Sequence, residues 1–179
     1  MRCLLDKVTV RYLLQGLRKL GEQQTPTFDE SLTLNFFAMN AQSDLQFYMA
    51  SPTANVLQGL QQTPRYAELI RFILQRIHIV QPARYHKRWA RRLRQFGFTR
   101  EDAAMLALAT FGLDTTRILC NMDYVITFDQ PMINHWTTQQ ASIRSKLSAM
   151  QDDVSPPYRL ATLPRVIRPD AIASHKSGA

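Results

Sequence analysis

Two cysteines, Cys3 and Cys120, are all that the sequence contains. They lie far apart in apolar segments and lack CxxC spacing, so neither a disulfide framework nor a zinc site is indicated. Both read as buried thiols in a reducing compartment. Glycine is also sparse, with 6 residues, and forms no phosphate-cradling loop of either usual pattern. HExxH and G-x-S-x-G are absent too, so nucleotide-cofactor enzymes, zinc proteases and serine hydrolases have no positive support. No apolar run approaches the ~18 residues that a membrane span needs. Asp6, Lys7 and Arg11 interrupt the segment after Cys3-Leu4-Leu5 before a signal-peptide core could form. A soluble, cytoplasmic chain without a membrane partner is expected. Negative charge is in the minority, 14 Asp and Glu against 22 Lys and Arg, a net charge of +8. Such a balance attracts polyanions such as RNA or DNA and says nothing about fold.

A chain of 179 residues with 45% apolar content buries one sizeable core. Breaks fall at Gly21 to Pro26, Thr63-Pro64, Gln81-Pro82, Gly97 and Ser155-Pro156-Pro157. Between them, Cys3 to Leu5, Leu45 to Met49, Ile77 to Val80 and Tyr124 to Thr127 are short apolar or β-branched runs, as expected for strands of a buried parallel sheet. Helical periodicity covers Val8 to Leu20, Phe28 to Ala41, Thr53 to Leu60, Tyr66 to Gln75, Arg84 to Phe96 and Arg100 to Phe111, then Pro131 to Trp136 and Gln139 to Met150. Alternation of this kind predicts a three-layer α/β fold with a parallel sheet. Thr27 with Glu30 has capping-box spacing, and Thr99 with Asp102 is a shorter-acid version of it. Residues 1–156 read as the domain and 157–179 as a C-terminal extension, with Val166-Ile167 as an edge strand and Ala173 to Ala179 as a loose tail.

In a parallel α/β sheet, ligands collect beyond the carboxyl ends of the strands. Three acids meet that condition: Asp6 ends Cys3-Leu4-Leu5, Asp129 closes Val125-Ile126-Thr127-Phe128, and Asp102 lies in the first turn of the helix from Arg100. Carboxylates gathered there repel one another unless a cation neutralises them, and hard oxygen ligands select Mg²⁺ or Mn²⁺. A site of that kind suits phosphodiester hydrolysis, with the metal activating water and stabilising the leaving oxygen. Each acid also has an ordinary explanation. Asp102 can be a helix N-terminal acid and Asp129 a turn or N-cap residue. Asp6 has the weakest structural excuse.

These residues resemble the PIN-domain family. Its members open with a strand ending in Asp, as Leu4-Leu5-Asp6 does. The stretch Arg100-Glu101-Asp102-Ala103-Ala104-Met105-Leu106-Ala107-Leu108-Ala109 is similar to the family's acidic helix start, and Tyr124-Val125-Ile126-Thr127-Phe128-Asp129 to its strand ending in Thr-x-Asp. The ordered set spans roughly residues 1 to 150. The resemblance implies a PIN-like α/β domain and a Mg²⁺- or Mn²⁺-dependent ribonuclease acting on single-stranded RNA, often the toxin of a toxin–antitoxin pair, with an antitoxin protein as partner. It implies Asp6, Asp102 and Asp129 as catalytic and metal-binding residues, with Thr127 holding the turn. Where the family usually has a Glu, this chain reads Ser51-Pro52-Thr53-Ala54-Asn55. Asn55 offers only a neutral oxygen, Asp29 and Glu30 are the acids that could substitute, and Lys7 is a cation able to pair with a vacant carboxylate cluster. The rival reading is therefore a catalytically impaired PIN-like nucleic-acid-binding or interaction module.

Arg84, Lys87, Arg88, Arg91, Arg92 and Arg94 crowd one helix whose other face carries Tyr85, Trp89, Leu93 and Phe96. Such cations would hold a phosphate backbone, or simply form a solvated face. His86 and His135 read as structural, as do Trp89 and Trp136. The stretch from Gly21 to Ser43 and the segment after Pro156 are candidates for self-association, with a homodimer as one expected assembly.

Overall fold

The computed structural model describes residues 1–39 and 44–172. A six-stranded sheet runs in the order β4-β3-β2-β1-β5-β6. Its strands are β1 Arg2–Leu5, β2 Gln46–Ala50, β3 Ile77–Pro82, β4 Gly112–Leu113, β5 Tyr124–Ile126 and β6 Arg165–Ile167. All neighbouring pairs are parallel except β3 with β4. Among the described residues the α-helices that join them are α1 Lys7–Gly21, α2 Phe28–Ala38, α3 Ser51–Leu60, α4 Pro64–Leu74, α5 His86–Arg94, α6 Arg100–Phe111 and α7 Gln130–Gln151.

Strand alternation divides the interior into two cores. Leu4, Tyr48, Val80, Val125 and Val166 point to one face and meet Trp89 and Leu93 of α5, Leu106 and Ala107 of α6, and Trp136 and Ile143 of α7. Cys3, Leu5, Phe47, Met49, Ile77 and Ile126 point to the other and meet Val10 and Leu13 of α1, Phe36 and Phe37 of α2, Leu57 of α3, and Ile70 and Ile73 of α4. This is the three-layer α/β arrangement that the alternating pattern predicts. Burial pushes the Cys3 thiol up to about 12 and the Cys120 thiol to about 11, so neither is a reactive thiolate. No described helix is long and apolar enough to cross a membrane.

The capping box at Thr27 forms in full, with Thr27 accepting from the Glu30 amide and Glu30 accepting from the Thr27 amide. The expected end of the second helix at Ala41 and the tail from Ala173 lie outside the described residues. Two elements depart from expectation. The pair of helices expected between Pro131 and Met150 is one, α7. Thr137 and Thr138, which break the pattern in sequence, donate their hydroxyls to the carbonyls of Ile133 and Asn134 at 2.9 Å each, one turn back, so the helix absorbs them. The short strand β4 also went unseen. It forms because Gly112 lies against the Leu108 carbonyl and Val80, where an added Cβ would come within 2.4 and 2.5 Å of neighbouring atoms.

Candidate functional site

The strand order locates the site before any side chain does. From β1 the chain winds outward through β2 and β3, then returns to the opposite side of β1 to lay down β5 and β6. The direction reverses between β1 and β5, so the crevice of the sheet opens at the carboxyl ends of those two strands. Asp6 follows the last residue of β1, and Thr127 follows the last residue of β5.

A chain of hydrogen bonds ties the two ends together. The Asp6 amide donates to the Ile126 carbonyl at 3.0 Å. The Thr127 hydroxyl donates to Asp6 Oδ2 at 3.0 Å and accepts from the Asp129 amide at 3.1 Å. Asp129 then caps α7, its Oδ1 accepting from the Met132 amide at 2.9 Å. Thr127, fully buried, thus bridges the Asp6 carboxylate and the Asp129 amide. Burial raises the Asp6 carboxyl above its ordinary range, against the Thr127 hydrogen bond and the Lys7 charge, which lower it.

That shift fixes the sign of a pH effect. The folded chain holds the Asp6 proton more tightly than the unfolded chain. Its stabilising contribution is complete below the ordinary value of 3.8 and is lost as pH rises through the folded value. Asp6→Asn, which keeps the acceptor for Thr127, is expected to melt at a higher temperature than wild type at pH 7. The gap should close at pH 3; a gap unchanged between the two pH values contradicts this account.

Helix α6 brings the third acid. Asp102 accepts from the Thr99 hydroxyl at 2.6 Å, and its amide donates to Thr99 Oγ1 at 3.1 Å. The helix N-terminus reaches the start of α1 through an ion pair between Lys7 and Glu101, 94 residues apart. Asp6 and Asp102 are further negative charges acting on the same ammonium, which is held above its ordinary range by the Glu101 hydrogen bond first.

The fit to a divalent cation is poor. Among the described residues no three His, Cys, Asp or Glu side chains are grouped so that they could hold a metal ion. Asp129 caps α7, Asp102 is held by the hydroxyl of Thr99, the N-cap of α6, Asn55 is an exposed neutral residue on α3, and the first turn of α3 has no acid. The other candidate acids serve elsewhere. Glu30 is buried in its capping box with Lys19 at 2.8 Å, and Asp29 pairs with Arg168 at 3.3 Å.

Sequence reading missed the residues beside this edge. The ring of Phe128, between Thr127 and Asp129, meets Tyr12 of α1 edge-on at 5.0 Å. The guanidinium of Arg168 lies 4.9 Å from the Phe128 ring centre, and that of Arg11 lies 5.4 Å from the Tyr12 ring centre. Only the Phe within Thr-x-Asp could have signalled this cluster.

No protein-family model matches the chain, and no curated protein matches it. A solved structure, that of VapBC-1 from nontypeable Haemophilus influenzae, is similar over 77% of this chain and 94% of its own. The TM-score is 0.45 and the identity 16%.

The six cations of the basic segment separate into two groups. Helix α5 lies antiparallel to α7. Tyr85 reaches Ser155 at 3.3 Å, Arg88 pairs with Asp153 at 3.3 Å, Arg92 donates to the Lys146 carbonyl at 3.5 Å, and the Phe96 carbonyl lies 2.6 Å from His135 Nε2. Arg88 and Arg92 are therefore spent on docking, and Arg84 lies 5.4 Å from the ring centre of its neighbour Tyr85. Lys87, Arg91 and Arg94 are exposed at helical spacing and have no partner among the described residues. Their stripe spans about 10 Å and leads towards the end of α7 that Asp129 caps. His86 Nε2 lies 2.9 Å from the Ala104 carbonyl, and burial lowers its pKa, so His86 and His135 are both held by backbone carbonyls.

Proposed function

We propose that this chain is a PIN-like nucleic-acid-binding protein that holds single-stranded RNA by its sugar–phosphate backbone along Lys87, Arg91 and Arg94. The observation that carries the reading is the unpaired cation stripe, which the chain keeps exposed while its neighbours Arg88 and Arg92 are used for packing. Free cations on a rigid helix neutralise phosphates irrespective of base, so binding is sequence-tolerant and salt-sensitive. Tyr12 and Phe128 supply aromatic surface at the edge towards which the stripe leads, where bases could stack. We take residues 1–156 as the domain and 157–179 as its C-terminal extension; within the latter, Arg165–Ile167 form β6 at the edge of the sheet.

A second reading is a Mg²⁺- or Mn²⁺-dependent ribonuclease of the PIN type, the toxin of a pair with an antitoxin protein. It is favoured by Asp6, a carboxylate kept at the topological switch point although burial opposes its ionisation. Asp102 and Asp129 would be the accompanying acids. The two readings separate on one gel, with labelled single-stranded RNA incubated with the chain in EDTA and in Mn²⁺. Binding in EDTA and intact RNA in Mn²⁺ are expected. Cutting in Mn²⁺ that Asp6→Asn abolishes would replace the first reading with the second.

A further inference from the structure

The acidic edge contains its own cation. Lys7 follows Asp6 directly, at the first position of α1, so the turn that presents the carboxylate also presents the ammonium. The Lys7 side chain leaves α1 to pair with Glu101, in the first turn of α6 beside Asp102. Around it stand Asp6, Glu101 and Asp102, three negative charges from two distant parts of the chain. The remaining acid of the edge, Asp129, is committed to the Met132 amide. No metal-holding trio is formed among the described residues, and α3 begins without an acid.

We infer that Lys7 takes the place of a divalent cation at this edge, a tethered ammonium that pairs with Glu101, offsets part of the charge of Asp6 and Asp102 and keeps divalent metal out. The physical basis is competition for the same oxygens. A divalent ion approaching Asp6 meets a like charge that cannot diffuse away, and the neighbouring carboxylate of Glu101 is already bound to it. Both partners are largely exposed, with side chains 62% and 76% accessible, so the pair does not hold the fold together and can be altered without dismantling the core. With Lys7 neutral, Glu101 is freed to turn towards Asp6 and Asp102, and the local charge of the three acids is left uncompensated.

Titration calorimetry with MnCl₂ on Lys7→Gln, Lys7→Arg and wild type tests this. Lys7→Gln is expected to bind Mn²⁺ at least tenfold more tightly than wild type, and adding Asp6→Asn should remove the gain. Lys7→Arg keeps the charge and should behave as wild type. Equal Mn²⁺ affinity in wild type and Lys7→Gln, or a gain in Lys7→Arg equal to that in Lys7→Gln, overturns the inference. Thermal melts on each variant confirm folding. The inference does not rest on the α5 stripe. RNA binding by Lys7→Gln in EDTA, measured alongside, reports on the stripe alone, so loss there counts against the RNA reading and not against the role of Lys7.

Discussion

Changing Lys87, Arg91 and Arg94 together to alanine is expected to weaken binding of single-stranded RNA by roughly a hundredfold near 0.1 M salt and to flatten its salt dependence. Each phosphate neutralised on a single strand contributes about 0.7 to the slope of log affinity against log salt, so three lost contacts remove a slope of about 2. Arg88→Ala and Arg92→Ala are the controls. Arg88 is tied to Asp153 and Arg92 to the Lys146 carbonyl, both on the α7 side. Exposed pairs of this kind are worth about 0–1 kcal/mol, so these changes should cost a little stability and leave the salt slope near that of wild type. Fluorescence anisotropy at four or five salt concentrations reads both quantities. A triple variant with an unchanged slope would mean that the phosphates lie elsewhere.

The largest stability effect is expected at the residue that anchors the same helix. Trp89 is fully buried, meets Phe111 edge-on at 6.3 Å and lies in the core shared by α5, α6 and α7. Truncating a buried Trp to Ala costs about 3–5 kcal/mol, a large share of the roughly 5–15 kcal/mol that holds a domain together. Trp89→Ala is therefore expected to shift urea unfolding far down and to weaken RNA binding, because the stripe is presented by the helix that Trp89 docks. Trp89→Phe should cost much less. The indole N–H has no hydrogen-bond partner among the described residues, so the smaller ring loses some packed area but no hydrogen bond. Equal costs for Ala and Phe would contradict the claim that ring packing carries the anchoring of α5.

How much of this could be read from sequence follows from the range of each interaction. Asp6 is legible because a carboxylate ending an apolar strand has no local partner to explain it, and the three-layer arrangement is legible because β-branched runs alternate with helical periods. Lys7 could be named as a cation beside the acids, but its partner Glu101 lies 94 positions away and is brought in only by the α6 docking. The division of the basic helix is equally tertiary. Nothing in Arg84 to Arg94 distinguishes Arg88 from Arg91 until the turn after α7 places Asp153 beside one and leaves the other in solvent. Thr137 and Thr138 misled for a local reason, since threonine disfavours helices in general while its hydroxyl can be satisfied one turn back in a particular one. Gly112 shows the converse, a residue whose need for a missing side chain appears only against Val80 and the Leu108 carbonyl.

The central claim is that this chain grips RNA through α5 without a metal at the carboxylate edge. The most direct measurement is the affinity of the wild-type chain for a labelled single-stranded RNA in EDTA and in Mg²⁺ at matched ionic strength, followed across salt. The account predicts binding in both, of similar affinity, with log affinity falling linearly as log salt rises and no RNA cut in either. Binding that appears only with Mg²⁺, or none at low salt in EDTA, contradicts it.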